Sequence, residues 1–390
     1  MEKSSSLSNT WNYPTTIRFG NNCSSELPFV AKSLGIRKPL LVTDPVLKKL
    51  PMITLALDAN KKQNLPTKLF TKMKSNPISQ NVMDGVDAYK LGNHDGIIAW
   101  GGGSAMDTAK AIALMVSQTR PIWDFEDIGD NWRRASTENI APIIAVPTTS
   151  GTGSEVGRAS VITDETTHTK KIIFHPKMLP SVVICDPQLI VSLPANVTAW
   201  TGMDALAHCF EAYCSPIYHP MADGIAIEGM RLCKEWLPLA FKDGSNILAR
   251  GHMMSAAAMG ATAFQKGLGA IHSLSHPIGA IYDTHHGMTN ATVMPYVIIH
   301  NKKAISDKME HLSKYLNLKN KSVTGVLDWI LDLREKFKIP HTINDLNVDE
   351  SYLNTMANMA SADPTADTNP IPVGQKEMLK LYQCAMKGVL

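Results

Sequence analysis

The sequence lacks the features that mark secreted, membrane or disulfide-stapled chains. No C-x-x-C pair occurs among its six cysteines, and their spacing shows no disulfide framework. No run approaches the roughly 18 consecutive apolar residues of a membrane span. The stretch Met1–Thr10 is polar and Ser-rich, without the apolar centre of a signal peptide. We therefore expect reduced thiols and a cytoplasmic protein.

The chain also has little surplus charge. Its formal net charge is +3 with histidine neutral, and no run of Lys or Arg forms a basic stripe. This balance argues against nucleic-acid partners. With 44% apolar and 19% charged residues, the composition is that of a globular protein large enough to bury a substantial core. Neither nucleic acid nor membrane is indicated as a partner.

What the chain does have, in its first half, is a series of short apolar runs alternating with helical patterns. The strand-like runs are Lys38–Thr43, Gly96–Trp100, Ile143–Val146 and Ser181–Cys185. Buried strands separated by helices favour a mostly parallel sheet. We predict an α/β domain over residues 1–192.

The second half contains long helical patterns rich in Ala, Met and Leu, such as Ala222–Phe241 and Ile247–Phe264. It has no convincing strand, so we predict an all-helical domain over residues 193–390, with the boundary near Ile190–Pro194. The segment Ala360–Pro372 is a polar, Pro-rich loop. A plain surface loop and a loop near a site are both compatible with it.

A glycine-rich turn, Gly101-Gly102-Gly103-Ser104, follows one predicted strand and opens a helical stretch, Ala105–Val116. Glycines let a backbone approach a ligand closely, and free N–H groups at a helix start attract anions. Ser104 with Asp107 three residues later also fits a capping box. A well-capped turn without a ligand has the same pattern, so this motif alone leaves both interpretations open.

A second polar loop, Pro147–Glu155 (PTTSGTGSE), follows the next predicted strand. Two such loops at successive strand ends suit a ligand at the carboxyl edge of a sheet. The usual G-x-G-x-x-G pattern is absent. The rule of an acidic residue about 20 positions after the glycines points to Asp124 or Glu126. Asp44, at the end of an earlier strand, is the competing choice, and spacing does not decide between them.

Aspartate and histidine recur at helical spacing in the second half. Asp204 and His208 are four residues apart, as are His272 and His276, and the pair His285-His286 follows. Residues four apart share one helical face. One carboxylate and three imidazoles can bind iron or zinc. Structural hydrogen bonding is the alternative for any single histidine, and composition does not say which of them bind.

Several motifs together resemble those of the iron-containing, group III alcohol dehydrogenases. In chain order they are SNP (Ser75–Pro77), GGGSAMDTAK (Gly101–Lys110), PTTSGTGSEV (Pro147–Val156), TGMDALAH (Thr201–His208), HSLSHPIGA (His272–Ala280) and HHG (His285–Gly287). The match runs from about Tyr13 to the C-terminus. Trp100 and Gly157 differ from the residues that are common in the family at these positions. These differences change the expected shape of the cofactor pocket, but the positions of the metal ligands match.

The resemblance implies a dehydroquinate synthase-like fold, in which an α/β dinucleotide-binding domain precedes a helical metal-binding domain. It assigns the metal ligands to Asp204, His208, His272 and His286, and it places His276 near the metal but outside its ligand set. It also gives the ribose contact to Asp44, which favours NAD over NADP. The remaining implied cofactor contacts are Asn76, Gly101, Gly102, Gly103, Ser104, Asp107, Thr148, Thr149 and Lys171.

The activity implied by this resemblance is metal-dependent, NAD-linked interconversion of a small primary alcohol, diol or hydroxy acid and its aldehyde or ketone by hydride transfer. The resemblance also implies Fe²⁺ or Zn²⁺ and a homodimeric assembly. His276 is the candidate catalytic residue, as a proton relay or as support for the ligands. Two alternatives remain. One is a hydroxyacid–oxoacid transhydrogenase with bound nucleotide, which turns over without added NAD. The other is a nucleotide-binding protein without catalysis.

Overall fold

The computed structural model describes Asn12, Tyr13 and residues 15–167 and 169–390. The polar stretch Met1–Thr10 lies outside the described residues. The chain forms two compact units, Pro14–Ser192 and Leu193–Leu390, and Asn12 and Tyr13 belong with the second. That these units correspond to independently folding domains, 1–192 and 193–390, stays a prediction.

The first unit is built on a parallel sheet, as the alternating apolar runs predict. Six strands lie in the order β1-β8-β5-β4-β2-β3, and every neighbouring pair is parallel. Two further strands, β6 and β7, form an antiparallel ribbon. The strands are β1 (Thr16–Phe19), β2 (Pro39–Val42), β3 (Lys68–Phe70), β4 (Gly96–Gly101), β5 (Ile143–Pro147), β6 (Ala159–Asp164), β7 (Thr169–Phe174) and β8 (Val182–Cys185).

Four central strands are buried along their whole length, namely β2, β4, β5 and β8. These are the four that the apolar runs predict, because a parallel sheet covered on both faces needs continuous apolar side chains. The edge strands β1 and β3 carry exposed residues, so no apolar run marks them. The helices of this unit are α1 (Leu27–Ser33), α2 (Pro51–Lys62), α3 (Ser79–Leu91) and α4 (Gly103–Met115).

The chain reverses its direction across the sheet between β3 and β4. It runs outward from β2 to the edge strand β3, then returns to place β4 on the other side of β2. When the connections that follow two adjacent strands run in opposite directions, a crevice forms at the carboxyl ends of those strands. Ligands of parallel sheets bind in this crevice. Here that position lies at the ends of β2 and β4.

The second unit contains helices and no strand among its described residues, in agreement with the sequence. They are α5 (Ala195–Cys214), α6 (Pro220–Lys242), α7 (Ile247–Ala263), α8 (Ala270–Tyr282), α9 (His286–Asn301), α10 (Ser306–Tyr315), α11 (Val323–Lys336), α12 (Leu353–Ala362) and α13 (Gln375–Lys387). In the part of the chain that is described, none of the helices is both long and apolar enough to cross a membrane.

Helix α5 is the centre of this unit, because every residue from Thr201 to Cys214 is buried. Helices buried on all sides are packed by neighbours around their whole circumference. Glycines allow two of these neighbours to approach closely. A Cβ on Gly260 of α7 would lie 3.0 Å from His208 Cβ, and one on Gly287 of α9 would lie 2.1 Å from Trp200 O. A Cβ on Gly287 would also lie 3.0 Å from Asp204 Cβ, so His208 packs close to α7 and Asp204 close to α9.

Candidate functional site

The glycine-rich turn lies at the carboxyl end of β4 and leads directly into α4. Gly101 has a φ of +153°, a conformation that favours glycine. A Cβ on Gly103 would lie 2.7 Å from Thr152 Cγ2, so glycine is also needed where the second polar loop passes. No side chain caps α4 among the described residues, which leaves its first N–H groups available to an anion.

The predicted Ser104–Asp107 capping box is wrong. Helix α4 begins at Gly103 with Gly102 as its N-cap, so Ser104 lies inside the first turn. Its hydroxyl donates a hydrogen bond to Ser75 O, which joins the glycine turn to the loop after β3. Asp107 instead accepts hydrogen bonds from Ser154 Oγ at 2.6 Å and from Val161 N at 3.0 Å. The polar side chains of this turn thus hold neighbouring loops together.

Asp44 follows β2 and adjoins the glycine turn at the crevice. Its Oδ1 accepts hydrogen bonds from Val46 N and Leu47 N, both at 2.8 Å. Its Oδ2 lies 3.8 Å from the position that a Cβ on Gly101 would occupy. One oxygen thus stabilises the turn after β2, while the other faces the glycines. The competing acidic residue from the spacing rule, Asp124, pairs with Arg120 at 3.0 Å.

Three other predicted contacts lie in the loops that follow β3 and β5, namely Asn76, Thr148 and Thr149. The amide of Thr148 donates to Gly101 O at 2.9 Å, and a Cβ on Gly102 would lie 3.2 Å from Thr149 Cγ2. Asn76 belongs to the loop after β3, beside the carbonyl that Ser104 contacts. The structure therefore gathers these residues around the glycine turn.

Lys171 is already engaged by protein groups. Its Nζ lies 3.0 Å from Asp164 Oδ2, 3.7 Å from Glu126 Oε2 and 5.1 Å from the centre of the Trp123 ring. Burial disfavours the charge on Asp164, but hydrogen bonds from Lys171 and from the following turn outweigh it and lower the pKa of Asp164 to about 2. A cofactor contact by Lys171 stays a prediction.

Two buried charges support the glycine turn from within. The Lys110 ammonium lies 3.4 Å from Asp107 Oδ1 and donates to Ser154 O at 3.0 Å and to Ala159 O. Burial lowers the pKa of Lys110 despite these partners. Burial likewise raises the pKa of Glu155, in the second polar loop, to about 7. The hydrogen bonds of Lys110 thus anchor the loop after β5 to α4.

In the second unit, three of the predicted metal ligands lie close together. One oxygen or ring nitrogen from each of Asp204, His208 and His272 lies within 4.8 Å of the others, and all three residues are buried. Asp204 and His208 are one turn apart on α5, while His272 belongs to the first turn of α8. Packing of two helices thus assembles what the sequence separates by more than 60 residues.

The fourth predicted ligand, His286, is the first residue of α9. Asp283, in the left-handed conformation with a φ of +52°, ends α8 and lets the chain turn back within three residues. His286 Nε2 lies 3.6 Å from Asp204 Oδ1, and His272 Nε2 lies 3.9 Å from the same oxygen. Tetrahedral ligands at roughly 2.1 Å from an ion would be about 3.4 Å apart, so small shifts bring these atoms into range.

The contacts of the Asn290 side chain indicate that the lone pairs of three predicted ligands converge on one point, which suits a cation. Its Nδ2 lies 2.8 Å from Asp204 Oδ1 and 3.2 Å from Nε2 of both His272 and His286. An amide nitrogen has two hydrogens, which are too few for three convergent acceptors. One carboxylate with imidazole nitrogens is a donor set that Fe²⁺ and Zn²⁺ both accept. The residues present therefore fit a divalent metal.

His276 lies one turn after His272 on α8, outside the convergent atoms. Its ring stacks on that of His286 with centroids 5.4 Å apart, and its Nδ1 lies 2.7 Å from Asp363 Oδ2. Burial opposes ionisation of Asp363, but the charge and hydrogen bond of His276 and hydrogen bonds from Thr365 hold the pKa of Asp363 well below its usual range. The ring of His276 is thus oriented by a carboxylate.

Three residues of this site are not singled out by sequence reasoning: Glu211, Asn290 and Asp363. Glu211 accepts a hydrogen bond from His272 Nδ1 at 2.6 Å. Its position three residues after His208 was the available signal, as was the spacing of four between His286 and Asn290. Asp363 lies in the segment predicted as a Pro-rich loop, for which the sequence left a role near a site open. That prediction is only partly right, because α12 extends to Ala362 and a short 3₁₀ helix, Pro364–Thr368, follows Asp363.

Comparison with known families places both halves of the chain in one group. Residues 14–187 match the family described as iron-containing alcohol dehydrogenase. Residues 198–386 match the C-terminal family of Fe-containing alcohol dehydrogenases. The two matches together span most of the chain, in agreement with the resemblance of the motifs.

Individual relatives are similar over nearly their full length. The 4-hydroxybutyrate dehydrogenase of Cupriavidus necator is 36% identical, with 96% of this chain and 99% of that protein covered. The NAD-dependent methanol dehydrogenase of Bacillus methanolicus is 33% identical, with 96% and 98% covered. Among solved structures, a 1,3-propanediol oxidoreductase is 32% identical with a TM-score of 0.92, covering 97% of this chain and 100% of that one.

Proposed function

Because this chain belongs to the iron-containing alcohol dehydrogenase family, we propose that it interconverts a small alcohol and its aldehyde or ketone, with NAD as the hydride carrier and a divalent metal at the reacting oxygen. Its relatives are named for a hydroxy acid, methanol and a diol. The substrate class is therefore a short primary alcohol, a diol or a hydroxy acid.

The observation that carries the proposal is the convergence of Asp204, His272 and His286 on the Asn290 amide nitrogen. With His208, these side chains would hold the metal. When bound, the metal supplies Lewis-acid polarisation of the substrate oxygen, and the nicotinamide accepts or gives the hydride. The chain's own part is to fix the four ligand atoms, three of which belong to buried residues.

The nucleotide would be held in the first unit by the loops that follow β2, β3, β4 and β5. The N–H groups of Gly102, Gly103 and Ser104 would face the pyrophosphate, since no side chain caps that helix end among the described residues. Asp44 Oδ2 would accept hydrogen bonds from ribose hydroxyls. A carboxylate there repels a 2′-phosphate, so NAD is favoured over NADP.

His276 would move the proton released or taken up at the substrate oxygen. Its Nδ1 is committed to Asp363, which leaves Nε2 to exchange a proton. An imidazole suits this task because one ring nitrogen can accept a proton while the other donates a hydrogen bond. Its stacking on the ring of His286 supports a role beside the candidate ligands rather than among them.

We further propose a homodimer in the cytoplasm, as the resemblance and the six free cysteines suggest. The assembly is tested by the mass of the purified protein in solution, measured by light scattering during size-exclusion chromatography. A mass of one chain at working concentration would contradict it.

The activity is tested on protein reconstituted separately with Fe²⁺ and Zn²⁺. NADH formation is measured over short alcohols, diols and hydroxy acids, and bound metal is analysed in the same samples. We expect metal-dependent NADH formation with at least one substrate class. Turnover between a hydroxy acid and a keto acid without added NAD would instead indicate a transhydrogenase. Nucleotide binding without turnover by any metal-loaded sample would contradict catalysis.

A further inference from the structure

Helix α5 carries a buried glutamate, Glu211, on the face that also holds Asp204 and His208. Glu211 follows them by seven and three residues, which places all three on one side of the helix. Its side chain is 4% exposed. Burying a carboxylate costs free energy unless hydrogen bonds occupy its oxygens. The hydrogen-bond partners of Glu211 therefore indicate which part of the site it supports.

Both oxygens of Glu211 are occupied by consecutive residues at the start of α8. Oε1 accepts from Ile271 N and Oε2 lies against His272 Nδ1, each at 2.6 Å. Donors at a helix N-terminus stabilise a negative charge. A Cβ on Gly269 would lie 3.0 Å from Oε1, so the chain entering α8 passes directly over the carboxylate. Glu211 is therefore held in one orientation.

This arrangement decides which nitrogen of His272 carries hydrogen. An ionised carboxylate only accepts hydrogen bonds, so Nδ1 must be the protonated nitrogen. The lone pair of the neutral ring is then on Nε2, which lies 3.9 Å from Asp204 Oδ1 and 3.2 Å from Asn290 Nδ2. The ring is thus fixed with its unprotonated nitrogen toward the convergent ligands.

We propose that Glu211 is a positioning residue for the metal site: it fixes His272 in the Nδ1–H tautomer, so that Nε2 is the atom that binds the metal. The inference rests on the proposed metal site. Outer partners that orient a histidine ligand in this way change metal affinity by about 10- to 100-fold when they are altered.

Glu211→Gln is the sharpest variant, because glutamine matches the shape but has only one accepting oxygen. If that oxygen accepts the hydrogen bond from Ile271 N, the NH₂ group faces His272 Nδ1 and favours the tautomer with hydrogen on Nε2. A protonated Nε2 cannot bind a metal. If the oxygen instead accepts the hydrogen bond from His272 Nδ1, the NH₂ group faces the Ile271 N–H, and two donors then oppose each other. Either arrangement weakens the site while the three other ligands stay in place.

The test is titration of Zn²⁺ into metal-free protein, in competition with a chelator. We expect Glu211→Gln to lower Zn²⁺ affinity by about 10- to 100-fold. Tyr382→Phe is the matched control, since it removes a buried 2.7 Å hydrogen bond to Leu274 O of the same helix without touching His272. In a His272→Ala background, Glu211→Gln should change Zn²⁺ affinity by less than about twofold, because its effect passes through that ring.

Labelled histidine in the unmodified chain gives an independent measurement if Glu211→Gln does not fold. Nitrogen NMR of the Zn²⁺-loaded protein, with His272 assigned by its loss in His272→Ala, should show a protonated Nδ1 and a metal-bound Nε2. Coordination through Nδ1 would overturn the proposal, and so would unchanged affinity in Glu211→Gln. Absence of both Zn²⁺ and Fe²⁺ binding by the unmodified chain would instead reject the metal site itself.

Discussion

His276 Nδ1 lies 2.7 Å from Asp363 Oδ2, so a residue of the polar, Pro-rich loop orients a histidine that stacks on a candidate metal ligand. The carboxylate accepts only, so in the neutral form of the ring the hydrogen is on Nδ1 and the lone pair that can take up a proton is on Nε2. This pairing gives the loop a function that its composition does not specify.

Asp363→Asn should lower kcat by about 100-fold while bound metal stays near the parent level, because the asparagine NH₂ group favours the wrong tautomer of His276. Thr365→Val is the control: it removes the 2.6 Å hydrogen bond to Asp363 Oδ1 and leaves Oδ2 on His276. Its kcat should change by only about twofold. Steady-state kinetics with metal analysis decides the matter. Equal losses in both variants would indicate that the loop matters only for packing.

His286→Ala and His285→Ala form a matched pair of adjacent substitutions. His286 Nε2 lies 3.6 Å from Asp204 Oδ1, whereas the His285 ring packs on Trp200 with centroids 4.9 Å apart. We expect His286→Ala to lower metal affinity at least tenfold and to remove most activity, since one of four ligands is lost. His285→Ala should keep its metal. Metal retention after dialysis measures both, and the reverse pattern would contradict the ligand set.

Asp44→Asn should shift coenzyme preference toward NADP by about tenfold or more in kcat/KM, equivalent to about 1.4 kcal/mol. Asparagine keeps an oxygen for the Val46 and Leu47 amides but removes the charge that repels a 2′-phosphate. Asp124→Asn is the control, because that carboxylate pairs with Arg120. Kinetics with both coenzymes measures the shift. The same change in Asp124→Asn, or none in Asp44→Asn, would reassign the ribose contact.

Lys171→Met should destabilise the first unit in a pH-dependent way. Because the folded pKa of Asp164 is lowered to about 2, the stabilisation by Lys171 is fully present above about pH 4 and is lost as the pH falls through 2. The side chain of Lys171 is 21% exposed, so a loss on the order of 1 kcal/mol is expected near neutral pH.

Denaturant unfolding of parent and variant across pH 2 to 7 measures this difference, which should shrink below about pH 4. Lys74→Met is the control, since its pair with Glu165 is 61% and 56% exposed and should contribute little. If Lys171→Met instead leaves stability unchanged and raises the KM for NAD, then Lys171 is a cofactor contact rather than a structural ion pair.

The sequence by itself determined the features that depend on neighbouring residues. Continuous apolar runs predicted β2, β4, β5 and β8, because a strand covered on both faces leaves no place for polar side chains. The glycine turn at Gly101 is a local feature, since its positive φ belongs to one turn of the chain. The spacing of four placed Asp204 and His208 on one helical face.

The tertiary structure decided what depends on residues far apart in the chain. Close packing at Gly287 brings His286 to Asp204, and the start of α8 brings His272 to Glu211. Spacing along one helix does not reveal which side chains of another helix it will face, since that depends on how the two surfaces pack. For the same reason the Ser104–Asp107 box was wrong: both side chains bond to other loops instead of capping their own helix.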